Sequence, residues 1–160
     1  MLEGELGLCL SPEKTKITTY GKGYDFLGFR LSARSRRMRD KSVQKFKSKI
    51  RELTPRHHNL DGVVIAKLNR VIRGTANYFA TAFSTCRWAF QKLDSWVRMR
   101  LRCMKLKRKN YNDNDKLRVG YFRCKLGLLT LEEFCTYRDR HGNTCRVIPR
   151  PGATSVGVAR

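Results

Sequence analysis

Acidic side chains are scarce in this sequence and nowhere gathered. Its 160 residues include 13 Asp and Glu against 35 Lys and Arg, and Glu132-Glu133 is the single adjacent acidic pair. Two-metal chemistry at a phosphoryl centre needs carboxylates clustered around the ions. No Asp-Asp or Asp-x-Asp turn stands between two apolar runs, and Asp113-Asn114-Asp115, set among Asn and Lys, reads as a solvated loop. We assign no catalytic residue and no metal to the chain on this ground, and expect it not to be an enzyme by itself.

Other absences narrow the field further. No apolar run approaches the roughly 20 residues of a membrane-spanning helix, and the first residues carry Glu3 and Glu5 where a secretory or organellar leader would be basic. The expected location is therefore cytoplasmic, with no membrane partner. The six cysteines, Cys9, Cys86, Cys103, Cys124, Cys135 and Cys145, contain no C-x-x-C pair and fit reduced, mostly buried thiols. Cys124, Cys135, His141 and Cys145 could be combined into a zinc set, but their spacing matches no common finger or knuckle. No internal repeat is visible.

What the chain does have is a core and a large positive charge. Apolar residues make up 41% of it, enough for a folded protein. The net charge is +22, and it is unevenly placed: residues 1 to 31 are neutral, with four bases and four acids, so the 31 remaining bases and nine remaining acids all follow Leu31. A folded region with that imbalance repels itself unless a polyanion neutralises it, and nucleic acid is the expected partner.

The periodicity predicts a mainly α fold. Residues 16–20 and 24–31 flank Gly21-Lys22-Gly23 and read as a β-hairpin, which is too small to be stable unless it packs on something. Residues 32–39 look like an extended basic linker. From Asp40 the period becomes helical, with Val43, Phe46, Ile50 and Leu53 inward, Asp40 or Ser42 as N-cap and Pro55 closing the helix. A second helix is expected over 61–82, with Val64, Leu68, Val71 or Ile72, and Phe79 inward. A third starts near Ser84, carrying Phe90, Leu93, Val97, Leu101 and Met104. Gly74 within the second helix costs about 1 kcal/mol relative to Ala, which suggests the close approach of another backbone. His57-His58 fall in an exposed loop. Beyond Tyr111 the pattern weakens to a short helix over 130–137, a turn at His141-Gly142-Asn143 and a flexible tail from Pro149.

Three ordered stretches point to a family. Leu6-Gly7-Leu8…Glu13-Lys14-Thr15 followed by Phe26-Leu27-Gly28-Phe29 resembles the end of the palm in reverse transcriptases encoded by group II introns. Leu68-Asn69…Arg73-Gly74-Thr75-Ala76-Asn77-Tyr78-Phe79 and Leu93-Asp94-Ser95-Trp96-Val97-Arg98-Met99-Arg100-Leu101-Arg102 are similar to two segments of the maturase-specific region, also called the thumb or X domain. The likeness runs over about residues 5 to 110. Thr75 stands where the family usually has Trp. The resemblance implies that the metal-binding aspartates belong upstream of Leu6, and that Lys14 lies where polymerases place a lysine near the leaving pyrophosphate. The palm motif residues here are thus Lys14, Phe26, Leu27, Gly28 and Phe29. Mg2+ is expected with the RNA or with a complete palm, and no cofactor on this chain itself.

With the resemblance, the chain divides into a palm remnant with a short N-terminal β-hairpin (1–31), a basic three-helix thumb or X domain (32–110), a small partly irregular extension (111–148) and a tail (149–160). The candidate RNA-binding residues are Arg34, Arg36, Arg37 and Arg39 of the connector, Lys41, Lys45 and Lys49 on one side of the first helix, Arg73 and Tyr78 of the second, and Arg98, Arg100, Arg102, Lys105, Lys107, Arg108 and Lys109 around the end of the third. Arg suits phosphate because its planar fork grips two oxygens and stacks on unpaired bases. Tyr78, Trp88 and Trp96 are stacking candidates, whereas Phe79 and Phe90 belong to the core. The expected function is that of an RNA-binding maturase, assisting the folding and splicing of group II intron RNA. The alternatives are a thumb that completes a split or truncated RNA-directed DNA polymerase by docking on a fingers and palm partner, a homodimer through the hairpin, and a remnant without function.

Overall fold

The computed structural model describes residues 18–108, 113, 116–138 and 144–146. The Leu6–Ile17 segment with Lys14, then Lys109, the His141-Gly142-Asn143 turn and the tail from Pro149 lie outside the described residues. Within them the order is a three-stranded antiparallel sheet, three α-helices, two short helical turns and a two-stranded ribbon. The mainly α architecture with a small N-terminal sheet is as the periodicity predicts.

The sheet corrects two expectations. Residues 24–31 are not one strand but a whole hairpin: β1 (Tyr24–Phe26) pairs with β2 (Phe29–Leu31), and the chain reverses at Leu27-Gly28. Both turn residues have positive φ, 45° and 82°, which is the primed geometry that fits the twist of paired strands. Gly23 also has positive φ, and Lys22 N–H donates to Thr19 O at 3.0 Å, so Gly21-Lys22-Gly23 does turn the chain, but among the described residues no strand pairing spans it. The second correction is residues 32–39. Their centre, Arg36–Met38, is strand β3 on the far edge of β2. Its outer side is held by Thr85, whose N–H donates to Arg36 O at 2.8 Å and whose Oγ1 accepts from Arg36 N–H at 2.9 Å. Pairing with β2 makes this segment a strand and a residue 49 positions away covers its outer edge, neither of which local periodicity can show.

Helix α1 spans Asp40–Leu53, α2 Gly62–Phe79 and α3 Arg87–Leu106. Ser42 does not cap α1. Its hydroxyl donates instead to Gly28 O at 3.2 Å, and Tyr78 Oη donates to Leu27 O at 2.7 Å, so both carbonyls of the hairpin turn are held by helices. A Cβ at Gly28 would meet Ser42 Oγ at 3.2 Å and a Phe79 ring carbon at 3.4 Å. Positive φ and tight surroundings together require glycine there. Thr54 closes α1 with its hydroxyl on Ile50 O at 2.7 Å, ahead of Pro55.

One apolar cluster joins all parts. Phe29 and Met38, opposite each other across β2 and β3, pack with Phe46 and Ile50 of α1, Leu68, Ile72 and Phe79 of α2, and Phe90, Val97 and Leu101 of α3. The hairpin therefore finds its packing partner in the bundle. Phe122, in a single π-helical turn at Tyr121–Lys125, closes the same core with Leu128 and Leu131. The helix expected over 130–137 is shorter, a 3-10 turn at Glu132–Phe134, followed by β4 (Thr136–Arg138), which pairs with β5 (Thr144–Arg146).

Candidate nucleic-acid interface

The candidate bases fall into two sets. In the first, Arg34 precedes β3, Arg36 and Arg37 lie on it, and Lys41, Lys45 and Lys49 follow at four-residue steps, which places the lysines on one side of α1. All six side chains are exposed, and among the described residues none of them has a carboxylate or other side-chain partner. Arg37 sits directly across the ladder from Arg30, an arrangement that like charges disfavour. Asp25, on the other side of Arg30, relieves it in part at 3.6 Å. Arg39 differs from its neighbours: it is half-buried, with its Nε covered and without a partner. The opposite side of α1 is used for packing, with Lys47 and Arg51 lying 5.7 and 5.6 Å from the centre of the Trp96 ring.

Helix α2 continues this basic surface. Arg70, Arg73 and Asn77 line a cleft of about 570 Å³ with Gly74 at its floor. Arg70 was passed over in the sequence reading, although its three-residue spacing from Arg73 puts both on one face. Gly74 has no backbone against it; a Cβ there would meet open space. The expectation of a close backbone is overturned, and the glycine leaves the groove floor bare. Tyr78 is half-exposed, with its ring stacked on Phe29 at 5.9 Å and its hydroxyl fixed on Leu27 O. Phe79 and Phe90 are core, as expected. Trp88 is exposed under the Lys92 ammonium, 3.5 Å from the ring centre.

The second set surrounds the end of α3, and most of it is engaged by the protein. The Arg100 guanidinium donates to Thr54 O at 2.6 Å and Thr54 Oγ1 at 3.2 Å, joining α3 to the buried end of α1. Arg102 donates to Leu117 O at 2.9 Å and lies over the Phe122 ring. Lys107 ends the helix in the left-handed conformation, and its ammonium bonds the carbonyls of His57 and His58 at 3.2 and 2.5 Å. Both histidines are exposed in their loop. Arg108 grips both carboxylate oxygens of Asp113 at 3.1 and 2.8 Å, and Lys116 stands 3.7 Å from the same group. Asp113 is accordingly buried and paired, not solvated. The Arg108 bond holds its carboxyl below the usual range. Lys105 alone of the described bases in this set beyond Arg98 is exposed and unengaged.

Arg98 falls between the two classes. Burial lowers its pKa, and the nearby Asp94 works in the other direction. Asp94 is buried on α3, where its carboxylate accepts the N–H groups of Leu131 and Glu132 at 2.9 and 3.1 Å. Burial raises its pKa to about 6 despite those bonds and Arg98. A buried carboxylate that ties two segments together is a structural fastening. Burial likewise pushes the Cys135 thiol up to about 11 and the Cys86 thiol upward, so neither is an activated nucleophile. Among the described residues no group of three or more His, Cys, Asp or Glu could hold a metal ion. Of the proposed zinc set, His141 lies outside those residues. No described helix is long and apolar enough to cross a membrane.

The arrangement is a basic surface running from β3 along α1 and onto α2, whose bases form no ion pair among the described residues, backed by a core that α3 braces. Its charge suits a polyanion. Comparison with curated proteins finds no match. A family model for the group II intron maturase-specific domain matches residues 43–122, from the first turn of α1 to Phe122 in the core. Covering half of the sequence and all three helices, that match shows that the chain belongs to the group II intron maturase-specific domain family.

Proposed function

We propose that the chain binds structured group II intron RNA and assists its folding and splicing, leaving the chemistry to the RNA. The observation that carries this reading is the exposed set Arg34, Arg36, Arg37, Lys41, Lys45 and Lys49, none of which forms an ion pair among the described residues. Holding such a set in one region of the surface costs self-repulsion that a phosphate backbone removes. Membership in the maturase-specific family makes intron RNA the polyanion of choice. Because bound phosphates release counterions, the logarithm of the affinity should fall linearly with the logarithm of salt, by about 0.7 to 0.9 per phosphate contacted. Filter binding to a structured intron RNA between low and high salt measures that slope, and in vitro splicing with and without the chain measures assistance. A flat salt response, or no acceleration of splicing, would sink the proposal.

One observation favours a second reading, in which the chain serves as the thumb of a split polymerase. Phe26 and Leu27, at the tip of the hairpin, are 57% and 68% exposed. Two large apolar side chains at a turn are suited to contact with another protein surface. Primer extension that appears only when a fingers and palm protein is added would support this reading; absence of co-purification with such a partner would count against it.

A further inference from the structure

The cleft between the hairpin turn, α1 and α2 has a composition that a simple phosphate-binding surface does not need. It measures about 320 Å³. Its floor is apolar, made by Met38, Phe46 and Phe79, all buried. Tyr78 and Thr75 form one wall, Gly28 contributes a wall without a side chain, and Lys45 and Lys49 stand at the mouth. No acid lines it. Tyr78 is held at that wall, its hydroxyl on Leu27 O at 2.7 Å and its ring on Phe29. Thr75 and Tyr78 also line a neighbouring cleft of about 520 Å³ that leads past Lys49 to Arg70 and Gly74.

An apolar ligand would not call for two ammonium groups at the entrance, and a phosphate alone would not call for an apolar floor. A planar base joined to phosphates on either side satisfies both. The volume lies at the lower end of the range for small-ligand sites, so it suits one nucleotide and not a paired helix. RNA-binding proteins read unpaired nucleotides in this way, by stacking the base on aromatic surface while cations hold the backbone. We propose that this cleft receives a single unpaired nucleotide of the bound RNA, its base against Tyr78 and the Phe46–Phe79 floor, its flanking phosphates at Lys45 and Lys49 on one side and Arg70 on the other. The inference rests on the RNA-binding reading and adds to it a specificity for a bulged or looped base.

The test uses two short RNA hairpins of equal length, one fully paired and one carrying a single bulged 2-aminopurine, and measures binding by anisotropy at fixed salt. The chain should bind the bulged hairpin about tenfold more tightly, the scale expected for one base stacked on aromatic surface. The 2-aminopurine emission should change on binding as its stacking partners are exchanged for Tyr78. Thr75→Trp fills the cleft and should erase the preference while leaving the paired hairpin bound. If circular dichroism shows that Thr75→Trp does not fold, Thr75→Leu takes its place, with the emission change in the unmodified chain as the second measurement. Equal binding of the two hairpins, a preference that survives filling of the cleft, or unchanged emission overturns the cleft proposal and leaves RNA binding standing. Failure to bind either hairpin overturns the RNA-binding reading itself.

Discussion

The bases of β3 and α1 and the bases at the end of α3 look alike as sequence and differ in the folded protein. Arg36, Arg37, Lys41, Lys45 and Lys49 are exposed with no side-chain acceptor among the described residues, whereas Arg100, Arg102, Lys107 and Arg108 direct their donors at Thr54, Leu117, the His57-His58 carbonyls and Asp113. The difference follows from where each helix end lies. The end of α3 abuts the 54–58 loop, Asp113 and Leu117, which offer carbonyls or a carboxylate that need donors. The exposed side of α1 faces no such segment among the described residues. A run of positive charge can therefore be a set of structural fastenings or a binding face, and the local density of bases does not tell which.

Substituting Lys41, Lys45 and Lys49 together by Gln should break the comparison most clearly. The salt dependence of RNA binding should lose close to one phosphate contact per lysine, so the slope falls by about 2 to 3. Thermal stability should stay the same or rise, since the lysines only repel one another; a lower melting temperature with an unchanged slope would reverse the assignment of the two sets. Arg100→Ala should do the opposite. It leaves the buried Thr54 carbonyl without its donor, which costs about 1–3 kcal/mol in chemical denaturation, and it should leave the salt slope as it was.

Asp94→Asn tests the intermediate case of Arg98. The Asp94 carboxyl titrates at about 6 in the folded chain and near the ordinary value of 3.8 when unfolded, so the folded state holds a proton that the unfolded state has released between those values. Its contribution to stability is therefore complete below the unfolded pKa and is lost as pH rises through about 6. Denaturation followed from pH 4 to 7 should show that decline in the unmodified chain and a flatter profile in the variant. An identical pH profile would mean that Asp94 is not the titrating group. The smallest effect is expected from Gly74→Ala, which should stabilise α2 by about 0.5–1 kcal/mol, because the new methyl meets open space. A gain in stability accompanied by weaker RNA binding would identify the bare groove floor as a contact surface.

The three helices were legible because their apolar residues recur at helical steps: Phe46 and Ile50, Leu68, Ile72 and Phe79, and the series from Phe90 to Met104 are all buried. The strand at Arg36–Met38 was not, since Ser-Ala-Arg-Ser-Arg-Arg-Met-Arg has no alternation and becomes a strand only by lying between β2 and Thr85. The turn at Leu27-Gly28 was hidden for a related reason. Gly21-Lys22-Gly23 is richer in turn residues, but Phe29 must face the core opposite Met38, and that requirement sets the register. Of the candidate interface, the lysine stripe of α1 could be read directly from its spacing. The cleft beside Thr75 could not, because its walls come from the hairpin turn, α1 and α2 together.

By itself the sequence determined the helical class, the positive excess after Leu31 and the family, since periodicity, net charge and ordered motifs are properties of the chain taken one residue after another. The tertiary structure decided which bases remain available to a polyanion, where the hairpin turns and where a nucleotide-sized cleft opens. Those depend on pairs of groups tens of residues apart, such as Arg100 with Thr54 and Tyr78 with Leu27, and a donor is free or engaged only according to what the fold brings within hydrogen-bonding reach of it.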